Sequence, residues 1–369
     1  MLHPSRPLLL LALSTAAWGP SMAGTARDAR FLAGGDISMA TRIEQAGATF
    51  HDGVGQADLV TLLRRNGWNT ARLRLFVDPS HENAVVNDLP YTLALARRIK
   101  AAGMQLLLDI HYSDTWADPG HQAKPAAWRD LSFDALVQKV HDYTADVISQ
   151  CRTHNVLPDI VQIGNEITPG FLWPEGKLYG KGGDPERRWE RFTRLLEAGI
   201  AGAREAAGQD STLRILIHID KGGKWGATKW FFENLARRNV SFDIIGLSYY
   251  PWWHGTMADL RGNLHNTART FGKDIMVVET AYPHRNEQHW KKHALAWPIS
   301  PEGQKAFLAE VIAAVKAAPD GRGIGVLYWY PESVPAEGLR IWNGGATALF
   351  DAQGKALPAL SVLGSGGRE

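Results

Sequence analysis

The sequence predicts a single (β/α)8 barrel (TIM barrel) behind a short leader, and three observations lead there. Eight short runs are almost continuously apolar, as parallel strands buried on both faces must be. Stretches with apolar residues at three- and four-residue spacing alternate with them. The C-terminal ends of the runs carry polar residues, where a barrel gathers its functional side chains.

The runs are FLAGGDIS (31–38), TARLRLFV (70–77), QLLLDIHY (105–112), DIVQIGNE (159–166), LRILIHID (213–220), FDIIGLSYY (242–250), DIMVVETA (274–281) and GIGVLYWY (323–330). The helical stretches include ADLVTLLRRNG, YTLALARRIKAAG, FDALVQKVHDYTADVISQCRTHN and RRWERFTRLLEAGIAGAREAAG after the first four. WFFENLARRN, MADLRGNLHNTARTFG and EGQKAFLAEVIAAVKAA follow the next three, and the eighth is written only as LPALSVLG. Gly67, Gly103, Gly208 and Gly272 fall where helix C-caps belong. A doubly wound open sheet is the alternative, but the chain has neither GxGxxG nor GxxxxGK[ST].

Residues 1–23 are expected to be a cleaved export signal. A start with one Arg and one His precedes an apolar run over 7–17, and Ser21-Met22-Ala23 offers small residues at −3 and −1, so the cut is expected after Ala23. The apolar run is too short to span a bilayer. Residues 24–369 then form the barrel domain, periplasmic or secreted and expected to be a monomer. With Lys+Arg 40 against Asp+Glu 38, no basic stripe invites nucleic acid. Cys151 has no partner for an internal disulfide and reads as a small buried apolar residue. Fourteen Trp accompany nine Tyr. Many, such as Trp116, Trp128, Trp173, Trp252, Trp253 and Trp342, stand within two residues of Gly, Pro, Asp or His. Aromatics in such loops suit a surface that meets the flat apolar faces of sugar rings.

The strand ends supply Asp36, Arg74, Asp109 with His111, Asn165 with Glu166, His218 with Asp220, Ser248 with Tyr249, Glu279 and Trp329. Glu166 ends the fourth run and Glu279 the seventh, opposite each other across an eight-strand mouth. Hydrolysis of a glycosidic bond needs such a pair, about 5–5.5 Å apart for retention and roughly 6.5–9.5 Å for inversion. The competing reading is two rim glutamates in ion pairs.

NTARLRLFVDP, LDIHYSDTWADPGHQAKPAAW, QIGNEITPGFLWPEG, IIGLSYYPWW, VVETAYP and ALFDAQGKALPAL together resemble the arabinogalactan endo-β-1,4-galactanases, glycoside hydrolase family 53. The resemblance covers about Gly35 to Leu360. It implies a retaining enzyme that cuts β-1,4-galactan, such as the galactan side chains of pectin, with Glu166 as acid/base and Glu279 as nucleophile. It further implies Asn165 on the 2-hydroxyl of the −1 sugar, Tyr249 and Arg74 on Glu279, and His111 and Trp329 lining that sugar. Asp114, Trp116 and Trp342 are implied as further sugar contacts, and Asp36 and His218 belong to the same expected substrate-binding set. Some relatives hold a structural calcium in a longer loop after the eighth strand. Here YPESVPAEGLRIWNGGATALFD is short and has no oxygen ligands at a calcium spacing, so no metal or other cofactor is expected. Tyr330 stands where many relatives place another Glu.

Three rivals remain on the sequence alone. His111, Asp114, Asp118 and His121 lie close enough to suggest a metal, but match no ligand motif and include Pro119 and Gly120, as a loop would. The same barrel could act on mannan, xylan or cellulose. A non-catalytic polysaccharide-binding barrel would have no use for both glutamates together with Asn165, Tyr249 and Arg74.

Overall fold

Eight parallel strands close into a barrel in chain order in the computed structural model, which describes residues 31–366 except 181, 287–289 and 291. They are β1 (Leu32–Asp36), β2 (Thr70–Leu75), β3 (Gln105–Ile110), β4 (Ile160–Ile163), β5 (Arg214–Ile219), β6 (Ile244–Tyr249), β7 (Asp274–Thr280) and β8 (Gly323–Trp329). All eight expected runs are strands. The proposed leader lies outside the described residues. Among the described residues no helix is long and apolar enough to cross a membrane.

Strand pleat divides the apolar residues into two cores. Leu107, Ile160, Leu216, Ile244 and Met276 point inward and fill the barrel floor. Their sequence neighbours Leu106, Leu108, Val161, Ile215, Ile217, Ile245, Leu247 and Val277 point outward and pack under the helices. Above the floor, the inward face changes from apolar to polar, with Arg72, Asp109, Gln162, His218 and Ser248 all buried. This polar layer carries the site.

The helices are α1 (Ala40–Gln45), α2 (Leu59–Arg65), α3 (Leu89–Ala101), α4 (Phe133–Thr153), α5 (Pro185–Ala207), α6 (Trp225–Arg237), α7 (Pro251–His254), α8 (Met257–Phe271), α9 (Pro301–Lys316) and α10 (Ala359–Gly366). Asp58, Asp88, Ser132 and Ser300 accept backbone N–H groups at helix starts, and Thr256 with Asp259 forms a capping box. Gly272 ends α8 in the left-handed conformation that a residue without Cβ adopts most cheaply. At the α4–α5 contact a Cβ on Gly202 would lie 2.4 Å from the His141 carbonyl oxygen, so this crossing requires glycine. Trp68, fully buried, donates its indole N–H to the Leu360 carbonyl at 3.1 Å and ties α10 to the barrel. Cys151 is buried on α4, and burial pushes its thiol up to about 12. Trp128 is also buried, packed edge-on to Tyr143, and so belongs to the core.

Candidate active site

Glu166 and Glu279 both line one cavity of about 580 Å3 at the C-terminal mouth of the barrel. Each reaches it through a departure from regular backbone. After β4 the chain turns through Gly164 (φ 78°) and Glu166 (φ 48°). A left-handed glutamate costs of order 1–2 kcal/mol, and the surrounding packing must offset that. On β7 the pairing register with β6 slips between Leu247 and Ser248, so that Ser248 faces Glu279. The inward set Met276 and Val278 would otherwise continue to Thr280; the irregularity lets Glu279 join it.

Glu279 is 4 % exposed and strongly held. Arg72 Nη1 lies 2.9 Å from its Oε1, and the Tyr250 hydroxyl donates to Oε2 at 3.0 Å. Arg72 is the hub beneath it, with Nη2 donating to Asp109 and to Asn165 Oδ1, both at 2.8 Å, and Nη1 3.3 Å from Asp36. Burial raises the Glu279 carboxyl, and Arg72 and the Tyr250 hydrogen bond oppose the rise. Burial likewise works to raise Asp109, but Arg72 and His111 outweigh it and hold that carboxyl below its ordinary value.

Glu166 is surrounded differently. Its Oε1 lies 2.6 Å from the Ser248 hydroxyl oxygen, and among the described residues no cation is bonded to it. Burial first, then the charges of Glu279 and Asp220, lifts its carboxyl well above the ordinary range. Of the two carboxyls, the arrangement places the proton on Glu166 and the charge on Glu279.

The expected neighbours of Glu279 need correction. Tyr249 does not touch it. That ring shares the outward parity of Ile245 and Leu247, stacks on Phe307 of α9 and donates to the Gly255 carbonyl. Tyr250, one residue on, points inward. Arg74 is also inward-facing but one rung above Arg72, as the pairings Arg72–Leu107 and Arg74–Asp109 show. It bonds Asp36 and Asn87, and its guanidinium lies 4.1 Å from the Trp116 ring. Arg74 thus carries an aromatic wall of the cleft rather than the nucleophile.

Among the other expected residues, Asn165, Trp116, Trp329 and Trp342 line the cavity. Asn165 is fixed by donating to the Ala117 carbonyl at 2.8 Å while its oxygen accepts from Arg72. Asp36 is fully buried between Arg72 and Arg74 and does not reach the cleft. His111 is buried, its Nδ1 accepting from Ala117 N–H and its Nε2 2.9 Å from Asp109. Asp114 accepts from the backbone of Asp78 and Ala126, so it holds the loop together instead of facing sugar. His218 is fully buried, bonded to Asn165 and Ser248. Of the suggested metal quartet, Asp118 and His121 pair with each other, and among the described residues no His, Cys, Asp and Glu group could hold a metal ion. Arg72 and Tyr250 are functional candidates that reading from the strand ends passes over, and Ser248, named there only as a strand-end residue, gains its place beside Glu166 from the fold. Trp253, 54 % exposed, and Tyr330 complete the aromatic lining.

A closed (β/α)8 barrel with two carboxyls in opposed surroundings across its mouth, walled by indole rings, has the architecture of a two-carboxylate glycoside hydrolase. The sequence model of glycosyl hydrolase family 53 matches residues 32–363, and the chain belongs to that family. It is 43 % identical over 92 % of its length to an uncharacterized protein of Niallia circulans, of which 95 % is covered. It is 35 % identical to an arabinogalactan endo-β-1,4-galactanase of Thermothelomyces thermophilus, covering 89 % of this chain and 98 % of that one. The family-53 catalytic domain of Ignisphaera aggregans superposes with a TM-score of 0.82 at 35 % identity, over 92 % of this chain and 96 % of that one.

Proposed function

We infer that the chain hydrolyses internal β-1,4-galactosidic bonds of (arabino)galactan by double displacement with retention, releasing galacto-oligosaccharides. The observation that carries this is the opposed surroundings of Glu166 and Glu279 across one aromatic cleft, in a chain of this family. Glu279, held by Arg72 and Tyr250, attacks the anomeric carbon. Glu166 gives its proton to the departing glycosidic oxygen, whose bond to that carbon breaks. Water then loses a proton to the Glu166 carboxylate and attacks the same carbon. The bond to Glu279 breaks and the carboxylate is restored.

Internal cleavage fits the extent of the groove. The central cavity meets a second of about 370 Å3 at Glu166, Asp118 and Trp253, and a third of about 360 Å3 at Ala84, Trp116 and Arg340. Glu166 therefore stands within a longer channel rather than at a blind end. In our reading the enzyme is exported, loses residues 1–23, and works as a monomer on the galactan side chains of pectin without a metal. The two-carboxylate chemistry supports that last point, since Glu279 supplies the nucleophile and Glu166 the proton, and no step calls for a Lewis acid. The test is a comparison of galactan, mannan, xylan and cellulose as substrates, with and without chelator, following early product by NMR. Galactan should be cut fastest, chelator should change nothing, and the β-anomer should appear first. Faster cleavage of another glycan or initial α-product would overturn the reading.

A further inference from the structure

Behind Glu166 runs a chain of contacts that the two-carboxylate mechanism does not use. Glu166 Oε1 is 2.6 Å from Ser248 Oγ, Ser248 Oγ is 2.8 Å from His218 Nε2, and His218 Nδ1 is 2.9 Å from Asn165 Oδ1. The direction of this chain is fixed at its far end. Asn165 Nδ2 donates to the Ala117 carbonyl and Oδ1 accepts from Arg72, so the amide cannot be turned round. An oxygen with only lone pairs, 2.9 Å from Nδ1, requires that nitrogen to carry hydrogen. Gln162 Nε2 is 3.1 Å from the same Nδ1, but its two hydrogens have acceptors in Asp109 at 2.6 Å and the Gly164 carbonyl at 3.1 Å.

We propose that His218 and Ser248 form a one-directional hydrogen-bond relay that keeps a proton on Glu166 until bond cleavage. His218 is a positioning residue that acts through Ser248. With hydrogen on Nδ1, a neutral ring has a bare Nε2, which must accept from the Ser248 hydroxyl. Ser248 then has no hydrogen left for Glu166 and can only accept. The 2.6 Å contact becomes a hydrogen bond from a Glu166 O–H to Ser248 Oγ. An ionised Glu166 would instead meet the lone pairs of the serine oxygen.

The groups around the ring favour the neutral form. Those facing it are Arg72 from β2, Asp109 from β3, His111 just after β3, and His254 from α7. Burial first, then Arg72, holds the imidazole well below its usual value, against the pull of Asp109. Glu166 is faced by Glu279 of β7, Asp220 after β5 and Asp118 after β3, all of which work against its ionisation. No proton has to travel along the relay. Glu166 alone loses its proton to the leaving oxygen and regains one from water, and the fixed orientation of Ser248 makes the intervening carboxylate a stronger base.

This inference rests on Glu166 being the acid/base, which azide rescue of Glu166→Ala checks separately. The relay is tested by the alkaline limb of kcat/KM, which reports the acid in the free enzyme. If Ser248 accepts from Glu166, Ser248→Ala removes support from the protonated form, and the limb should move down by about one pH unit. The acid limb should stay in place. If Ser248 donates to a carboxylate, the same variant moves the limb up, and that result, or no movement, overturns the proposal. His218→Phe frees the serine to donate, so it should lower the limb in the parent and add nothing in Ser248→Ala. An equal shift in both backgrounds would mean that His218 acts through its field alone. Should His218→Phe fail to fold, 15N NMR of the unaltered ring decides the tautomer. Hydrogen on Nδ1 with a bare Nε2 perturbed by Ser248→Ala is expected, and the opposite tautomer contradicts the relay.

Discussion

Glu279 stands in a charged layer in which Arg72 and Tyr250 hold both its oxygens. Glu166 stands nearer the opening with one hydroxyl beside it and, among the described residues, no cation bonded to it. The two side chains are the same acid, a few strands apart on one barrel, and only their surroundings separate their chemistry. The difference shows how a barrel mouth assigns roles. Positions on β1, β2 and β3 deliver the cation and its balancing carboxylates beneath one glutamate, while β6 gives the other only a hydroxyl.

The largest effect should come from breaking the hub. Arg72→Met leaves Glu279 and Asp109 without the arginine that pairs with both, and leaves Asp36 to Arg74 alone. Loss of one partner of a buried ion network costs about 3–5 kcal/mol. Chemical denaturation should show that loss, and galactanase activity should fall with it. A stability near that of the parent would mean the layer is not organised by Arg72.

A smaller and more selective effect separates neighbouring tyrosines. Tyr250→Phe removes the donor to Glu279 Oε2, and kcat should fall on the order of 10–100-fold. Tyr249→Phe removes only the bond to the Gly255 carbonyl outside the barrel. It should change kcat by less than about twofold. Equal effects would return the two residues to equivalence.

The smallest effect sharpens the electrostatic side of the comparison. Glu166 is raised above its ordinary value of 4.5 in the folded chain. The folded protein therefore binds a proton that the unfolded chain releases as pH rises above that value. The stability this proton contributes is whole below about pH 4.5 and is lost as pH climbs through the raised folded value. Glu166→Gln has no proton to lose, so its melting temperature should exceed the parent's at neutral and alkaline pH. The difference should vanish in acid. A variant less stable than the parent at every pH would show that the carboxyl is not strained where it stands.

Much of this was legible in the sequence, for a physical reason. A strand buried on both faces must be apolar almost throughout, and all eight such runs are strands. The same property hides the pleat. In FDIIGLSYY nearly every residue is apolar, so nothing in the run says whether Tyr249 or Tyr250 faces inward. Pairing with β5 and β7 decides it. Depth is hidden in the same way, since Arg72 and Arg74 share a face and differ only in which β3 residue they stand beside. The short helices α1 and α7, and the two-residue hairpin strands at Phe50–His51 with Gln56–Ala57 and Gly170–Phe171 with Gly176–Lys177, are too brief for any period to register. Asp36 looks like a ligand for sugar in a list of strand-end polar residues, and Asp114 looks like one by family resemblance. Only the fold shows that their oxygens are already taken by backbone N–H groups and arginines.

The assignment of roles to the two glutamates is tested most directly by catching the intermediate. Glu166→Ala retains the attacking carboxylate but lacks the base that activates water. With an activated aryl galactoside, whose leaving group departs without protonation, it should release aryl alcohol in a burst and accumulate a galactosyl-enzyme. Proteolysis and mass spectrometry should place the galactosyl group on the peptide that contains Glu279. Azide should discharge it as the β-galactosyl azide. A galactosyl group on any other residue, or discharge as the α-azide, would contradict the account.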